Sequence, residues 1–192
     1  MKGTDVAHVT IKLIKGLPSL RSTEASEVIL EGIRRVNEKG VVRIVHYSIQ
    51  SNHVHMLVEA ENSADLSKGM ASLNTGLGMR LNRLFDRVGE GSVFQQRFHM
   101  VVISTPAQMK NALLYVLKNH EHHVGKRRPG SKLFDPYSSA STFPFWRGYT
   151  ASESSEGPTV EPRTWLLTRG WSKAKGVRGG RLSLHSLPSL QA

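Results

Sequence analysis

The sequence contains no cysteine and no long apolar run, and each absence excludes a class of protein. Without cysteine among its 192 residues, the chain cannot form disulfides, a cysteine zinc site or a thiol nucleophile. Any metal must therefore be bound by His, carboxylate or amide groups. No apolar stretch approaches the roughly 18 residues that a membrane-spanning helix needs, and residues 1–7 lack the pattern of a secretion signal. We expect a cytoplasmic protein with no membrane partner.

Acidic residues are scarce relative to basic ones. The chain has 26 Lys and Arg against 15 Asp and Glu, which gives a net charge of +11. The excess is uneven, since residues 124–192 contain 11 basic and 4 acidic residues. A small domain this basic is typical of proteins that bind a polyanion, and nucleic acid is the expected one. A charge that only maintains solubility, or a ribosome-like contact with RNA, is the alternative interpretation.

Hydrophobic periodicity and turn signals predict strands over residues 8–14, 41–49, 53–59 and 98–104, and helices over residues 24–39, 63–87 and 105–122. Ser22 or Thr23 is expected to cap the first helix, Gly40 to end it, and Thr105 and Gln108 to form a capping box on the third. This element order predicts an α+β fold of the ferredoxin-like, split βαβ type with an antiparallel sheet. Residues 1–123 are expected to form the domain. Residues 124–192 are a basic C-terminal extension, expected to be partly docked through its aromatic residues and partly flexible.

Two histidines on the third predicted strand could bind a metal ion together. His53 and His55 lie two residues apart, and in a strand such residues point to the same face. Val54, Met56 and Val58 would then point to the opposite face, into a core covered by helices. Two imidazoles on a rigid strand form a platform for a metal ion. The alternative interpretation is a pair of exposed or hydrogen-bonded strand histidines.

The third predicted helix carries a tyrosine away from its apolar stripe. That stripe is formed by residues recurring at helical spacing, namely Met109, Ala112, Leu113, Val116, Leu117 and His120. Tyr115 lies on a flank of this stripe, and Asn119 follows one turn later on the same flank. A core tyrosine would lie on the stripe itself. The position of Tyr115 therefore favours a chemical role, with a surface tyrosine packed against the helix as the alternative.

These motifs occur in an order that resembles a known family. The sequence Ser51-Asn-His-Val-His-Met-Leu-Val58 is similar to the His-hydrophobic-His motif of HUH endonucleases. The helix with one tyrosine, Leu114-Tyr-Val-Leu-Lys-Asn119, resembles that of the single-tyrosine transposases of bacterial insertion sequences. The REP-associated tyrosine transposases are especially similar, and Gln95-Gln-Arg-Phe98 also resembles their pattern. The resemblance covers residues 8–123.

The resemblance implies a transposase that cleaves and rejoins single-stranded DNA, with a hairpin or palindromic repeat as its substrate. His53, His55 and Asn119 would bind Mg²⁺ or Mn²⁺, and Tyr115 would attack the DNA to give a 5′-phosphotyrosine link. Family members often have Gln or His at the position of Asn119. We expect a monomer or a homodimer. Residues expected to bind the nucleic acid are basic side chains near these motifs, namely Arg97, Lys118, Lys126, Arg127 and Arg128.

Other functions and other site residues are also open from the sequence. A DNA- or RNA-binding module of the same fold that does not cleave is the main alternative, although RNA-binding sheets of this topology usually expose aromatic residues on their strands. A replication initiator or relaxase, or a transposase that has lost mobility, would share the metal chemistry. His120, His122 and His123 are expected to cap a helix end, and His99 to face solvent. Glu59 shares the face of the histidines but lies farther along the strand.

Overall fold

The computed structural model describes residues 5–95, 97–124, 134–150 and 157–183, and the side chains of residues 120–124 are outside this description. One sheet is formed by four strands, namely Asp5–Lys12 (β1), Arg43–Ile49 (β2), His53–Ala60 (β3) and His99–Ile103 (β4). Their order in the sheet is β2-β3-β1-β4, and each neighbouring pair is antiparallel. Because β3 lies between β1 and β2, the arrangement is a split βαβ unit. The predicted α+β, ferredoxin-like class is confirmed.

The described residues form three long helices, Thr23–Lys39 (α1), Ser63–Leu84 (α2) and Pro106–Val124 (α3). Local sequence signals determine where each helix begins and ends. The Ser22 hydroxyl accepts a hydrogen bond from the amide of Ala25, and Gly40 ends α1 with a left-handed φ of 70°. Thr105 and Gln108 exchange two hydrogen bonds of 3.2 Å each, which is the predicted capping box. Helix α2 is shorter than predicted, because the chain leaves it through Asp86 at a φ of 53°.

One face of the sheet is covered by α1 and α2 and is apolar throughout. Its strand residues include Val9 and Ile11 of β1 and Val54 and Met56 of β3, each at most 1% exposed. The two helices approach each other closely at Gly32, where an added Cβ would lie 2.5 Å from a side-chain carbon of Leu77. Packing on this face therefore depends on a small residue as well as on large ones.

The opposite face is covered by α3 and by part of the C-terminal extension. In the extension lie a short 3₁₀ helix, Ser139–Thr142, a helical turn, Trp165–Thr168 (α4), and a second 3₁₀ helix, Gly170–Lys173. Trp146 and Trp171 are buried in a second apolar core together with Leu57 of β3. Trp171 is 1% exposed, whereas Trp165 is 56% exposed. The division at residue 123 stays a prediction, and the docked segments share a core with the residues before it.

The described helices include none that is both long and apolar enough to cross a membrane.

Candidate active site

His53 and His55 project together from β3 toward the side of the sheet that α3 covers. Their ring centroids are 4.6 Å apart, and the ring planes are nearly perpendicular at 83°. Val54, Met56 and Val58 belong to the core on the opposite face, as strand alternation predicts. His55 is buried, with 5% of its surface exposed, whereas His53 is partly exposed. The pair therefore lines a site that opens to solvent at His53.

The neighbouring strand β1 adds two polar side chains that the sequence analysis missed. Thr10 lies directly opposite His55 in the sheet, and its hydroxyl oxygen is 2.9 Å from His55 Nδ1. His8 lies on the same face, with its Nε2 atom 3.1 Å from the same nitrogen. Alternation on β1 shows that His8 and Thr10 share a face, but the sequence alone does not give the register that brings them to His55.

The turn before β3 contacts the other histidine in the same way. The side-chain oxygen of Asn52 lies 2.7 Å from His53 Nδ1. Gln50 closes this turn with a backbone hydrogen bond of 2.8 Å to the carbonyl of His53. Both histidines are therefore held through Nδ1, one by a turn and the other by the adjacent strand.

Tyr115 of α3 packs against these rings. Its ring centroid is 5.0 Å from that of His55 and 5.6 Å from that of His8, in edge-on geometries. The tyrosine is half-buried at the margin of the second core. The structure thus brings the predicted nucleophile and a predicted metal ligand, 60 residues apart in the chain, into contact.

Asn119 follows Tyr115 on α3, about 6 Å further along the helix axis. Helix α3 begins beside the end of β4, where Ile103 pairs with Val6, and passes His55 at Tyr115. It therefore runs in the direction that leads from His55 to His53, and Asn119 lies toward the His53 end. The amide of Asn119 is 1% exposed, and within the described part of the chain neither its oxygen nor its nitrogen has a hydrogen-bond partner.

A buried amide without a partner is costly unless a ligand satisfies it. Among residues 5–95, 97–124, 134–150 and 157–183, no three His, Cys, Asp or Glu side chains are grouped so that they could bind a metal by themselves. A metal site here would need an additional oxygen ligand, and the side-chain oxygen of Asn119 is suited to that part. Two imidazoles and an amide oxygen fit Mn²⁺ or Mg²⁺ better than a thiolate-preferring metal.

Burial shifts the pKa of two groups in the site. Burial, and next the charge of His99, lower the pKa of His8 from 6.5 to about 4, so His8 is neutral at pH 7. Burial raises the pKa of the Tyr115 phenol above its usual value of 10.0. A tyrosine in this position needs a nearby positive charge before it can ionise and act as a nucleophile.

The other residues singled out in the sequence lie in different settings. Arg97 is exposed just before β4, and His99 is exposed, as expected. Lys118 is only 5% exposed, so little of its side chain is accessible to DNA. The side chains of His120, His122 and His123, together with Lys126, Arg127 and Arg128, lie outside the described residues. Lys12, which the sequence analysis did not select, is exposed directly opposite His53.

Glu59 is buried at the far end of β3, where its carboxylate contacts the C-terminal extension and Arg43. Its carboxylate accepts hydrogen bonds of 3.0 Å from the Arg163 amide and 2.7 Å from the Thr164 amide and hydroxyl. Arg43 pairs with it at 3.3 Å. These contacts attach the start of α4 to the sheet, and they occupy the carboxylate of Glu59 with partners other than the histidines.

Comparisons with known proteins bear on the family and the fold of the chain. The family model of IS200-like transposases matches residues 10–119, which is more than half of the chain. The solved structure of a REP-associated tyrosine transposase bound to a REP hairpin aligns with a TM-score of 0.57 and 17% identity, covering 72% of this chain and 78% of that one. At this identity the alignment shows the shared fold. A putative transposase from Deinococcus radiodurans R1 aligns with a TM-score of 0.45 and 13% identity, covering 53% and 80%. No curated protein matches the sequence.

Proposed function

Because the chain belongs to the family of IS200-like transposases, we propose that it cleaves and rejoins single-stranded DNA with Tyr115 as its nucleophile. One observation carries the assignment of the residue. The Tyr115 ring lies 5.0 Å from the ring of His55, a histidine of the pair on β3. Of the remaining tyrosines, Tyr47 is buried in the apolar core on the other face of the sheet, where DNA has no access.

His53, His55 and Asn119 are the residues that would hold a divalent cation, Mg²⁺ or Mn²⁺. The two histidines lie on one strand, and the buried amide of Asn119 has no partner among the described side chains. When bound, such an ion supplies positive charge that polarises the scissile phosphate. The role of these three residues is to fix the position of that charge relative to Tyr115.

The chemistry of Tyr115 needs no external source of energy. The phenol loses its proton, its oxygen forms a bond to the phosphorus, and the bond from phosphorus to the 3′ oxygen breaks. The departing oxygen takes up a proton and becomes a 3′-hydroxyl, while the 5′ phosphate stays attached to the tyrosine. Attack by another 3′-hydroxyl on this link reverses the step and rejoins DNA. One phosphodiester is exchanged for another, so nucleotide hydrolysis is not required.

Basic side chains around the site favour the bound strand. Lys118 lies on α3 three residues after Tyr115 and is buried, with 5% of its surface exposed. Lys12 and Arg97 are exposed at the same end of the sheet. Both are placed to contact phosphates of a strand that enters at His53. A role in DNA binding stays a prediction from the sequence for Lys126, Arg127 and Arg128.

A hairpin is the proposed form of the substrate. The transposase of similar fold is bound to a REP hairpin in its solved structure, and the net charge of +11 of this chain suits a folded nucleic acid. A hairpin flanked by a single-stranded segment would offer a duplex to the basic surface and a flexible strand to Tyr115.

The test is covalent capture. The full chain is incubated with Mn²⁺ and a labelled single-stranded oligonucleotide that folds into a hairpin, and the adduct is resolved on a denaturing gel. We expect a labelled protein band that Tyr115→Phe abolishes and that Tyr149→Phe, a partly exposed tyrosine outside the site, retains. If a panel of hairpins and metals gives DNA binding but no adduct, the chain is instead a binding module that does not cleave DNA.

A further inference from the structure

Both histidines of the site are contacted at the same ring nitrogen. His53 Nδ1 lies 2.7 Å from the Asn52 side-chain oxygen, and His55 Nδ1 lies 2.9 Å from the Thr10 hydroxyl. His8 Nε2 is 3.1 Å from the same atom of His55. These contacts come from three different parts of the chain, the turn before β3 and two positions on β1, yet they have one chemical consequence.

The consequence concerns which nitrogen carries the proton. An amide oxygen only accepts hydrogen bonds, so its contact with His53 requires a hydrogen on Nδ1. In neutral imidazole the lone pair then resides on Nε2, and a lone pair is what a metal ligand must present. The Thr10 hydroxyl can donate or accept, and in the same tautomer of His55 the single Nδ1 hydrogen is accepted by that hydroxyl or by His8 Nε2. One pattern of hydrogen bonds would thus prepare both rings for a cation on the Nε2 side.

We propose that Asn52, Thr10 and His8 are positioning residues that fix His53 and His55 in the Nδ1–H tautomer, with Nε2 directed into the site. The inference rests on the proposed function, because it assigns these residues to the same site. It adds three residues outside the His-Val-His motif. It also explains why β1, which contributes neither the nucleophile nor a metal ligand, places polar side chains at this point of the sheet.

The tautomers are measurable without any metal or DNA. In the full-length chain labelled with ¹⁵N-histidine, long-range nitrogen–proton correlation spectra distinguish Nδ1–H from Nε2–H rings. We expect His53 and His55 as Nδ1–H tautomers. The double variant Thr10→Val with His8→Phe keeps the size of both side chains and removes both partners, so His55 should become a mixture of tautomers. Thr10→Ser, which keeps the hydroxyl, should leave it unchanged. A wild-type His55 present as the Nε2–H tautomer would overturn the proposal.

Metal affinity gives a second, independent readout. Titration calorimetry with Mn²⁺ should show affinity reduced about 10- to 100-fold in the double variant and in Asn52→Ala, the usual range for loss of an outer partner of a histidine ligand. The wild-type affinity for Mn²⁺ should be retained in Thr10→Ser and Asn52→Asp, because both variants keep a hydrogen-bond acceptor. Equal affinity in the wild type and the double variant would contradict the positioning role.

The two proposals fail in different ways. If the wild type binds no Mn²⁺ and His53→Ala gives the same result, the metal part of the proposed function is wrong, whatever the tautomers. If the wild type binds Mn²⁺ and His53→Ala abolishes binding, but the Thr10, His8 and Asn52 variants change neither affinity nor tautomer, the proposed function stands and the positioning inference is wrong. Circular dichroism melting curves confirm that each variant is folded.

Discussion

Successive residues of β3 face two different environments. Val54, Met56 and Val58 point into the core beneath α1 and α2, where the strand contributes only apolar side chains. His53, His55 and Glu59 point to the other side, under α3 and the C-terminal extension, and each has polar partners. Packing on the apolar face stabilises the sheet, and the mixed face uses that rigid support to hold polar groups in position.

The largest difference between the faces is expected in catalysis. His55→Ala, on the mixed face, should reduce formation of the DNA adduct by about 10³-fold or more, since the charge that the site would hold is worth several kcal/mol in the transition state. Glu61→Ala truncates an exposed side chain just beyond the far end of β3 and serves as the control, with adduct formation near wild type. Single-turnover adduct assays measure both. Full activity of His55→Ala would remove the functional distinction between the faces.

On the apolar face we expect a substitution to reduce stability without reducing catalysis. Met56 is fully buried next to His55 in sequence, and Met56→Ala should lower the free energy of unfolding by about 2–5 kcal/mol through loss of buried area and formation of a cavity. Urea unfolding monitored by tryptophan fluorescence provides the measurement. The rate of adduct formation per folded molecule should be unchanged. A selective loss of activity in folded Met56→Ala would show that the faces are coupled more tightly than their packing indicates.

Much of this division could be predicted from the sequence. Alternation placed His53 and His55 on the face opposite Val54 and Met56, and cap residues such as Ser22 and Thr105 gave the helix starts. Local signals suffice for such features because they depend on residues only a few positions apart. The class of fold follows from the order of these elements.

Features that depend on distant residues could not be obtained in this way. The contact of Thr10 and His8 with His55 needs the register between β1 and β3, which alternation alone does not specify. Asn119 was expected on a polar flank, yet it is 1% exposed. Its flank of α3 faces the sheet, where Tyr115 packs against His55, and the extension adds further residues to the core around α3. The extension has no periodic pattern from which this packing could be recognised.

A third difference between the faces is a dependence of stability on pH. His46 is a buried residue of β2 whose Nδ1 lies 3.2 Å from the Ser139 hydroxyl of the extension, and burial lowers its pKa from 6.5 to about 4. The unfolded chain therefore binds more protons between these values. The contribution of His46 to the free energy of unfolding is complete above about pH 6.5 and is lost as the pH falls toward 4, by about 3 kcal/mol.

His46→Asn keeps a polar group near Ser139 and does not titrate in this range. Urea unfolding between pH 7 and pH 4 should therefore show a weaker pH dependence for the variant than for the wild type. Parallel curves for the two proteins would mean that His46 does not remain neutral in the folded state.

A smaller effect is expected at Glu59, which attaches the extension to the mixed face. Glu59→Gln retains one acceptor oxygen but loses the charge that Arg43 and two backbone amides contact, and should lower the free energy of unfolding by about 1–3 kcal/mol. Hydrogen exchange should accelerate first in residues 164–173. Glu61→Gln, an exposed carboxylate nearby, is the control and should change neither quantity. Uniform acceleration across the whole sheet would show that the extension does not loosen as a separate unit.

The central claim, that Tyr115 attacks DNA from the mixed face, is tested most directly by locating the covalent link. After incubation with Mn²⁺ and hairpin DNA, nuclease trimming and proteolysis, mass spectrometry identifies the peptide that carries the residual nucleotide. We expect a single modified peptide containing Tyr115, and no adduct from Tyr115→Phe at unchanged melting temperature. A link at Tyr47, Tyr137 or Tyr149, or cleavage by Tyr115→Phe that leaves an end formed by water, would contradict it.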